Sequence, residues 1–430
     1  MHFLFKVIIL FLIVFNFRLP YVYNSAFLSI ALTAAYYIFI KGSISLKFFF
    51  QRYVTLILIG TVALSLVTFL IAYLHQTEIM NLSQKRIWIM FLMLGAVVFA
   101  LPLLIEGKEN SAFEEIALII CAAFAIQGII SLAAYLYSPL ADLLMTVKPQ
   151  DVQQTAQDGV LDNRFRYLNL SGVLLVELTA AFGAAFIVFF WLQLRYSHPY
   201  MSGWKKFIFF FFIFLGTVLS GRTGFFGLLF GLSGWLIVSF RDVVNAIARN
   251  LTYIIGVTAF FAFIYYFAFT GSQRHSFNNE VFPFAFEWYY NYKDYGKFEV
   301  NSMEATDLHY YFLSDETLLK GHGVFPFGGE SPYPHSDAGY TNTLVYGGIP
   351  LLIFIIIYQL LYFFRPITIS LKDNRIDTVF FLILLAYLFF VNIKAPAIAY
   401  LHIVEVMYIA LGAVYVMNYH REKEQSYIDS

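Results

Sequence analysis

What most constrains this chain is a succession of long apolar runs along nearly its whole length. They lie near 3–17, 24–40, 53–74, 87–105, 112–137, 169–194, 207–220, 223–240, 251–270, 343–364, 378–393 and 398–417. A helix crosses the hydrocarbon core of a bilayer with about 20 consecutive apolar residues. The runs therefore predict an all-α polytopic membrane protein of about twelve transmembrane helices, organised as a single integral membrane domain over 1–430. Composition agrees, since 60% of residues are hydrophobic and 13% charged, outside the range of soluble domains. The first run has the apolar core of a signal peptide. Asn16, Phe17 and Arg18 follow it in place of a small-residue cleavage site, so it is read as a membrane helix.

Several functional classes drop out at this level. Lys+Arg and Asp+Glu each number 27, and a net charge of +0 offers nothing to nucleic acid. Cys121 is the single cysteine and lies in an apolar run, which excludes an internal disulfide and a cysteine metal cluster. The high Phe and Tyr content suits lipid packing and membrane interfaces.

Basic residues give the expected orientation, because Lys and Arg accumulate in short cytoplasmic loops. With the N-terminus inside, those loops hold Lys41, Lys47 and Arg52, then Lys108, then Arg195, Lys205 and Lys206. Arg241 and Arg249, then Arg365, Lys372 and Arg375, and finally Arg421 and Lys423 continue the alternation. The opposite side has Arg18, Lys85, Arg86, Lys394 and Arg222 in short loops. Two longer segments, 138–168 and the large loop 271–342 between the ninth and tenth spans, are expected to be outer loops.

Lys205 and Lys206 precede one apolar run and Arg241 follows the next, so the stretch between folds as a hairpin. Its outer tip reads Ser220, Gly221, Arg222, Thr223, Gly224. The glycines permit tight backbone approach and the hydroxyls can cap a helix. A helix N-terminus beside a guanidinium suits phosphate oxygens. A plain turn whose arginine snorkels to lipid headgroups is the alternative.

The large loop collects polar groups that lipid-facing helices exclude: Arg274, His275, Asp307, His309, His322, His335 and Asp337. Gly321 and Gly323 flank His322, which suggests backbone passing close to another segment or to a ligand. His335 supplies an imidazole titrating near neutrality, and Asp337 either orients it or acts as the base. The spacings of zinc hydrolases are missing, and Ser336 has no nucleophile-elbow context, so no metal is expected. Elsewhere, Glu177 lies within the sixth span as a candidate cavity residue, and Arg164 and Arg166 just before it add positive charge to the outer vestibule. His402 and Glu405 are read as a structural contact between helices.

Taken together, the hairpin Ser220 to Gly224, the arginine after the next span at Arg274, and the large outer loop ending in Gly321–His322–Gly323 and Pro334 to Tyr340 resemble bacterial O-antigen and capsular polysaccharide polymerases. O-antigen ligases are more distantly similar. The architecture match runs along the whole chain, whereas the motifs cover a few dozen residues. Ligase-like sequences carry His-Asn where this chain has His335, Ser336 and Asp337, which favours the polymerase.

The resemblance implies a membrane glycosyltransferase of class C type in the bacterial cytoplasmic (inner) membrane, inverting, metal-independent and without a cofactor. Its substrate would be an oligosaccharide linked to undecaprenyl diphosphate, transferred to a sugar hydroxyl of another lipid-linked repeat unit, with a chain-length regulator as protein partner. Arg222, Arg274 and Thr223 would bind the diphosphate, and His335 or Asp337 would take the acceptor proton. His322, Glu177, Arg164 and Arg166 would line the cavity. A ligase acting on lipid A-core or protein is the nearest alternative, and a lipid-linked oligosaccharide flippase the next. A transporter built from paired halves would show broken helices at matching positions, and the one broken pair here lies in the second half alone.

Overall fold

The computed structural model describes residues 3–19, 24–78, 82–148, 164–172, 175–195, 203–239, 255–256, 258–297, 312–324, 333, 336, 338–393 and 402–428. Its described elements are helical, with no strand among them. In order they are α1 (Phe3–Phe15), α2 (Ser25–Tyr36), α3 (Arg52–Leu74), α4 (Leu82–Leu104), α5 (Ala112–Leu136) and α6 (Ser138–Thr146). After them come α7 (Leu175–Arg195), α8 (Gly203–Ser220), α9 (Thr223–Ser239) and α10 (Thr258–Phe267). The segment that follows carries the short α11 (Gly271–Ser276), α12 (Phe282–Ala285), α13 (Glu287–Tyr295) and α14 (Asp315–Lys320). The chain closes with α15 (Gly339–Asp373), α16 (Arg375–Val391) and α17 (His402–Ile428).

Seven of these, α3, α4, α5, α7, α8, α15 and α17, are long and apolar enough to cross a membrane. Shorter helices occupy the remaining predicted stretches. Two boundaries differ from the sequence expectation for identifiable reasons. The helix of the sixth stretch, α7, starts at Leu175 and not near 169, because the preceding segment is held elsewhere: Lys148 Nζ donates to Asn169 Oδ1 at 2.5 Å and to the Ser171 carbonyl at 3.0 Å, and the Gly172 N–H donates to the Phe15 carbonyl at 3.0 Å. The tenth stretch becomes a helix of 35 residues that is broken at Gly347 and Gly348, the latter with φ +66°.

Hydrophobicity does not choose which helices pack together when nearly every face is apolar; close packing of small residues does. Gly227 of α9 lies so near Gly183 of α7 that a Cβ there would come within 2.2 Å of the Gly183 Cα. The two backbones therefore touch. The same logic puts α7 and α17 at the centre, each 83% buried over its apolar window, with α3 at the periphery at 33%.

Polar contacts sort into two ends of the bundle. At one end Lys6 pairs with Glu115 at 3.1 Å and reaches the Glu106 carbonyl at 2.8 Å, while Lys41 pairs with Glu106, Arg195 with Glu114 and Asp377, and Arg421 with Asn110. At the other, Gln273 of α11 donates to the Tyr135 and Leu136 carbonyls of α5, Thr77 Oγ1 to the Gly323 carbonyl at 3.1 Å, and Arg166 to the Ser220 carbonyl.

Candidate functional site

The candidate site is built where α8 turns into α9. The Gly221 N–H donates back to the Thr217 carbonyl at 2.9 Å and Gly221 has φ +153°, a region that favours glycine. A Cβ at Gly221 would press on Thr179 Oγ1 at 3.1 Å and sit in ordinary contact with Arg166 Nη2 at 3.5 Å, so the turn packs closely on α7 with a second guanidinium beside it. The Phe225 N–H donates to the Arg222 carbonyl at 3.0 Å, starting α9, whose first residue is Thr223.

Arg222 and Arg166 share one aromatic surface. Their guanidinium carbons lie 4.7 and 4.6 Å from the centroid of Phe284 on α12, within cation–π range. Arg222 forms an ion pair with Glu287, the first residue of α13; the two side chains are 23% and 13% exposed. Arg166 Nε donates to the Ser220 carbonyl at 3.3 Å. Burial first, and then the charge of Arg166, bring the Arg222 guanidinium down from the usual arginine range to about 10. Burial lowers Arg166 as well. Two cations, partly removed from water and facing one carboxylate, leave an excess positive charge that an incoming anion relieves.

The other expected site residues are distributed as follows. Arg274 donates to the Tyr265 carbonyl at 3.1 Å and to the Tyr266 carbonyl, so it closes the C-terminal end of α10, where a cation is favoured. Its partners are not shared with Arg222, and the arginine that meets Arg222 is Arg166. Glu177 is 1% exposed; its Oε1 accepts from the Ile403 N–H at 3.0 Å and lies 3.1 Å from His402 Nδ1, while His402 Nε2 is 3.0 Å from the Arg86 carbonyl. Glu177 thus ties α7 to the start of α17. Arg164 opens a short 3-10 turn, and its side chain lies outside the described part. His335, Asp337, Asp307 and His309 lie outside the described residues.

His322 belongs to a clamp. Its N–H donates to the Val345 carbonyl at 2.7 Å and the Gly323 N–H to the Tyr346 carbonyl at 2.9 Å, across the break in α15. A Cβ on Gly321 would come 2.4 Å from the Tyr346 carbonyl oxygen, and one on Gly348 2.7 Å from that of Leu318. The segment that the flanking glycines admit is therefore the broken helix itself. On the other side, Thr317 Oγ1 lies 2.8 Å from both His322 Nε2 and the Tyr333 hydroxyl. Bonds from Thr317 and Ser314 hold the Tyr333 phenol below its usual range.

Sequence reasoning did not single out Phe284 and Glu287. Both lie in an aromatic-rich stretch whose composition does not distinguish a ring under two arginines from any other. A carboxylate in a segment bounded by cationic turns was the available signal for Glu287. Comparison with family models, with curated proteins and with solved structures gives no match for this chain.

Proposed function

We propose that this chain is a membrane glycosyltransferase that polymerises lipid-linked repeat units, transferring a glycan from undecaprenyl diphosphate to a sugar hydroxyl of another lipid-linked unit. The observation that carries the reading is the pair Arg166 and Arg222 on Phe284, with Arg222 drawn down to about 10. Breaking the glycosidic bond develops negative charge on a diphosphate, and preorganised guanidinium groups in a partly dry setting stabilise that charge as it forms. Arginine suits the task through its planar fork, and at about 10 Arg222 is still ionised near neutral pH.

In this mechanism Glu287 occupies the cationic site until the diphosphate replaces it. The acceptor oxygen attacks the anomeric carbon as the bond to the diphosphate oxygen breaks, inverting that carbon. The acceptor proton passes to His335 or Asp337, and the leaving group departs as undecaprenyl diphosphate held by Arg222 and Arg166. The Glu177–His402 contact keeps α7, which carries Thr179 beside Gly221, in register with the central helix. The proposal includes twelve spans with the N-terminus inside, so that Arg222 faces the outside of a bacterial cytoplasmic membrane.

The test is polymerisation by the purified protein with a defined lipid-linked repeat unit. Wild type is expected to build long chains, and Arg222→Ala to leave single units while still inserting into the membrane. Long chains from Arg222→Ala defeat the proposal.

A further inference from the structure

The short turn that delivers Arg166 is held from behind by a buried lysine. Lys148, just past α6, and Asn169 are each 2% exposed, and Ser171 is fully buried. Lys148 Nζ donates to Asn169 Oδ1 at 2.5 Å and to the Ser171 carbonyl at 3.0 Å. Burial pushes this ammonium down to about 7, so holding it there charged costs stability.

An ammonium has donors and no acceptor, so the Asn169 amide turns its oxygen toward Lys148. The amide nitrogen is left on the other side, where Nδ2 donates to the Arg166 carbonyl at 2.9 Å. The Asn169 N–H adds a bond to the Tyr167 carbonyl at 2.8 Å. Both carbonyls belong to the 3-10 turn Arg164–Tyr167. The lysine therefore decides which way the amide faces, and the amide decides how the turn closes. From that turn Arg166 reaches the Ser220 carbonyl and the ring of Phe284 beside Arg222. The segment is fixed on its other side as well, since a Cβ at Gly172 would come within 2.2 Å of the Asn16 carbonyl oxygen.

The geometry points to Lys148 and Asn169 as positioning residues for Arg166, which place the second guanidinium of the anion site without touching the anion. The inference rests on reading Arg166 and Arg222 as that site. For stability alone a lysine is poorly chosen here, because an apolar side chain of similar volume fills buried space without desolvating a charge. What the ammonium supplies, and an apolar chain does not, is a fixed amide orientation.

The experiment titrates pyrophosphate into the full-length protein in detergent. In parallel, mass spectrometry follows modification of Arg166 by phenylglyoxal, with Arg195, paired at the opposite end of the bundle, as the internal reference. Asn169→Asp keeps an acceptor for Lys148, and with it the fold, but turns an oxygen toward the Arg166 carbonyl. Lys148→Met fills the space and frees the amide. Each is expected to weaken pyrophosphate by about 3- to 10-fold, the scale of one lost hydrogen bond, and to speed modification of Arg166 relative to Arg195. In an Arg166→Ala background neither should weaken pyrophosphate further, because both act through Arg166. Equal losses with and without Arg166 overturn the inference, since the change is then one of general stability or of charge. So does an unchanged rate of modification at Arg166. If wild type does not bind pyrophosphate, the diphosphate reading falls, and the rate at Arg166 still decides the positioning role.

Discussion

If Glu287 holds the place that a diphosphate takes, neutralising it should tighten anion binding. Glu287→Gln keeps the shape of the side chain and removes the charge that competes for Arg222. The pair is neither exposed nor fully buried, at 23% and 13%, so its value falls between the ~0.2–1 kcal/mol of surface pairs and the ~3–5 kcal/mol lost on breaking a buried one. An intermediate contribution of about 1–2 kcal/mol corresponds to a gain of about 5- to 30-fold in affinity. The assay is a titration of pyrophosphate into detergent-solubilised protein, wild type against Glu287→Gln, with Arg222→Ala as the variant lacking the site. The same substitution leaves Arg222 beside Arg166 without a counter-ion, so the unliganded variant should melt lower than wild type and recover on adding pyrophosphate. Unchanged or weaker pyrophosphate affinity refutes the reasoning, and shows that Glu287 orients Arg222 for some other purpose.

The remaining expectations concern the neighbours of this site and its supports. Arg166→Ala should reduce polymerisation by about 10²-fold, the scale of one lost transition-state donor, whereas Arg274→Ala, which unties the end of α10, should have a smaller effect; the reverse order in rate assays restores Arg274 as the principal partner of Arg222. A base depressed to about 10 costs the folded protein stability while charged, and that cost lifts as pH rises above about 10 toward the usual arginine range. Pyrophosphate affinity should accordingly fall as pH climbs through about 10, and Arg166→Gln should move the fall upward; a pH titration in which neither occurs removes the coupling between the two arginines. Glu177→Ala strands His402 and the Ile403 N–H in the interior and should destabilise by about 1–3 kcal/mol, with Glu177→Gln milder because an amide oxygen still accepts; thermal melts equal to wild type would instead point to a role in the cavity. Gly227→Val places a branched side chain against the Gly183 backbone, 2.2 Å from the Cα, and should cost at least ~1–3 kcal/mol; normal melting would show that α7 and α9 are not in backbone contact.

Much of the helical layout was legible because it follows from a rule without context. A run of apolar residues in lipid has to close its own hydrogen bonds, and each of the twelve stretches carries a helix, seven of them long and apolar enough to cross a membrane. The hairpin at Gly221 and Arg222 was legible for a similar reason, since basic residues on both flanks required the chain to return. The late start of α7 was not, because nothing in 169–172 announces it; Lys148 and the Phe15 carbonyl hold that backbone from elsewhere along the chain. Nor was the clamp of His322 on α15: the glycine pairs announced close approach but not which segment approaches.

By itself, then, the sequence determined that this is a helical membrane chain, where its helices lie, and that a guanidinium sits at the turn of one hairpin. Tertiary structure decided the company that guanidinium keeps. Arg166 arrives from the segment before α7 and Phe284 and Glu287 from the segment after α10, elements joined by aromatic contacts such as Phe165 against Phe284 that no periodicity encodes. Lipid-driven helix formation is local and depends on composition summed over a run, whereas the charge balance at a site depends on which runs touch. That is set by side-chain shape at a few positions, such as Gly183, Gly221 and Gly227, and becomes visible once the helices are assembled.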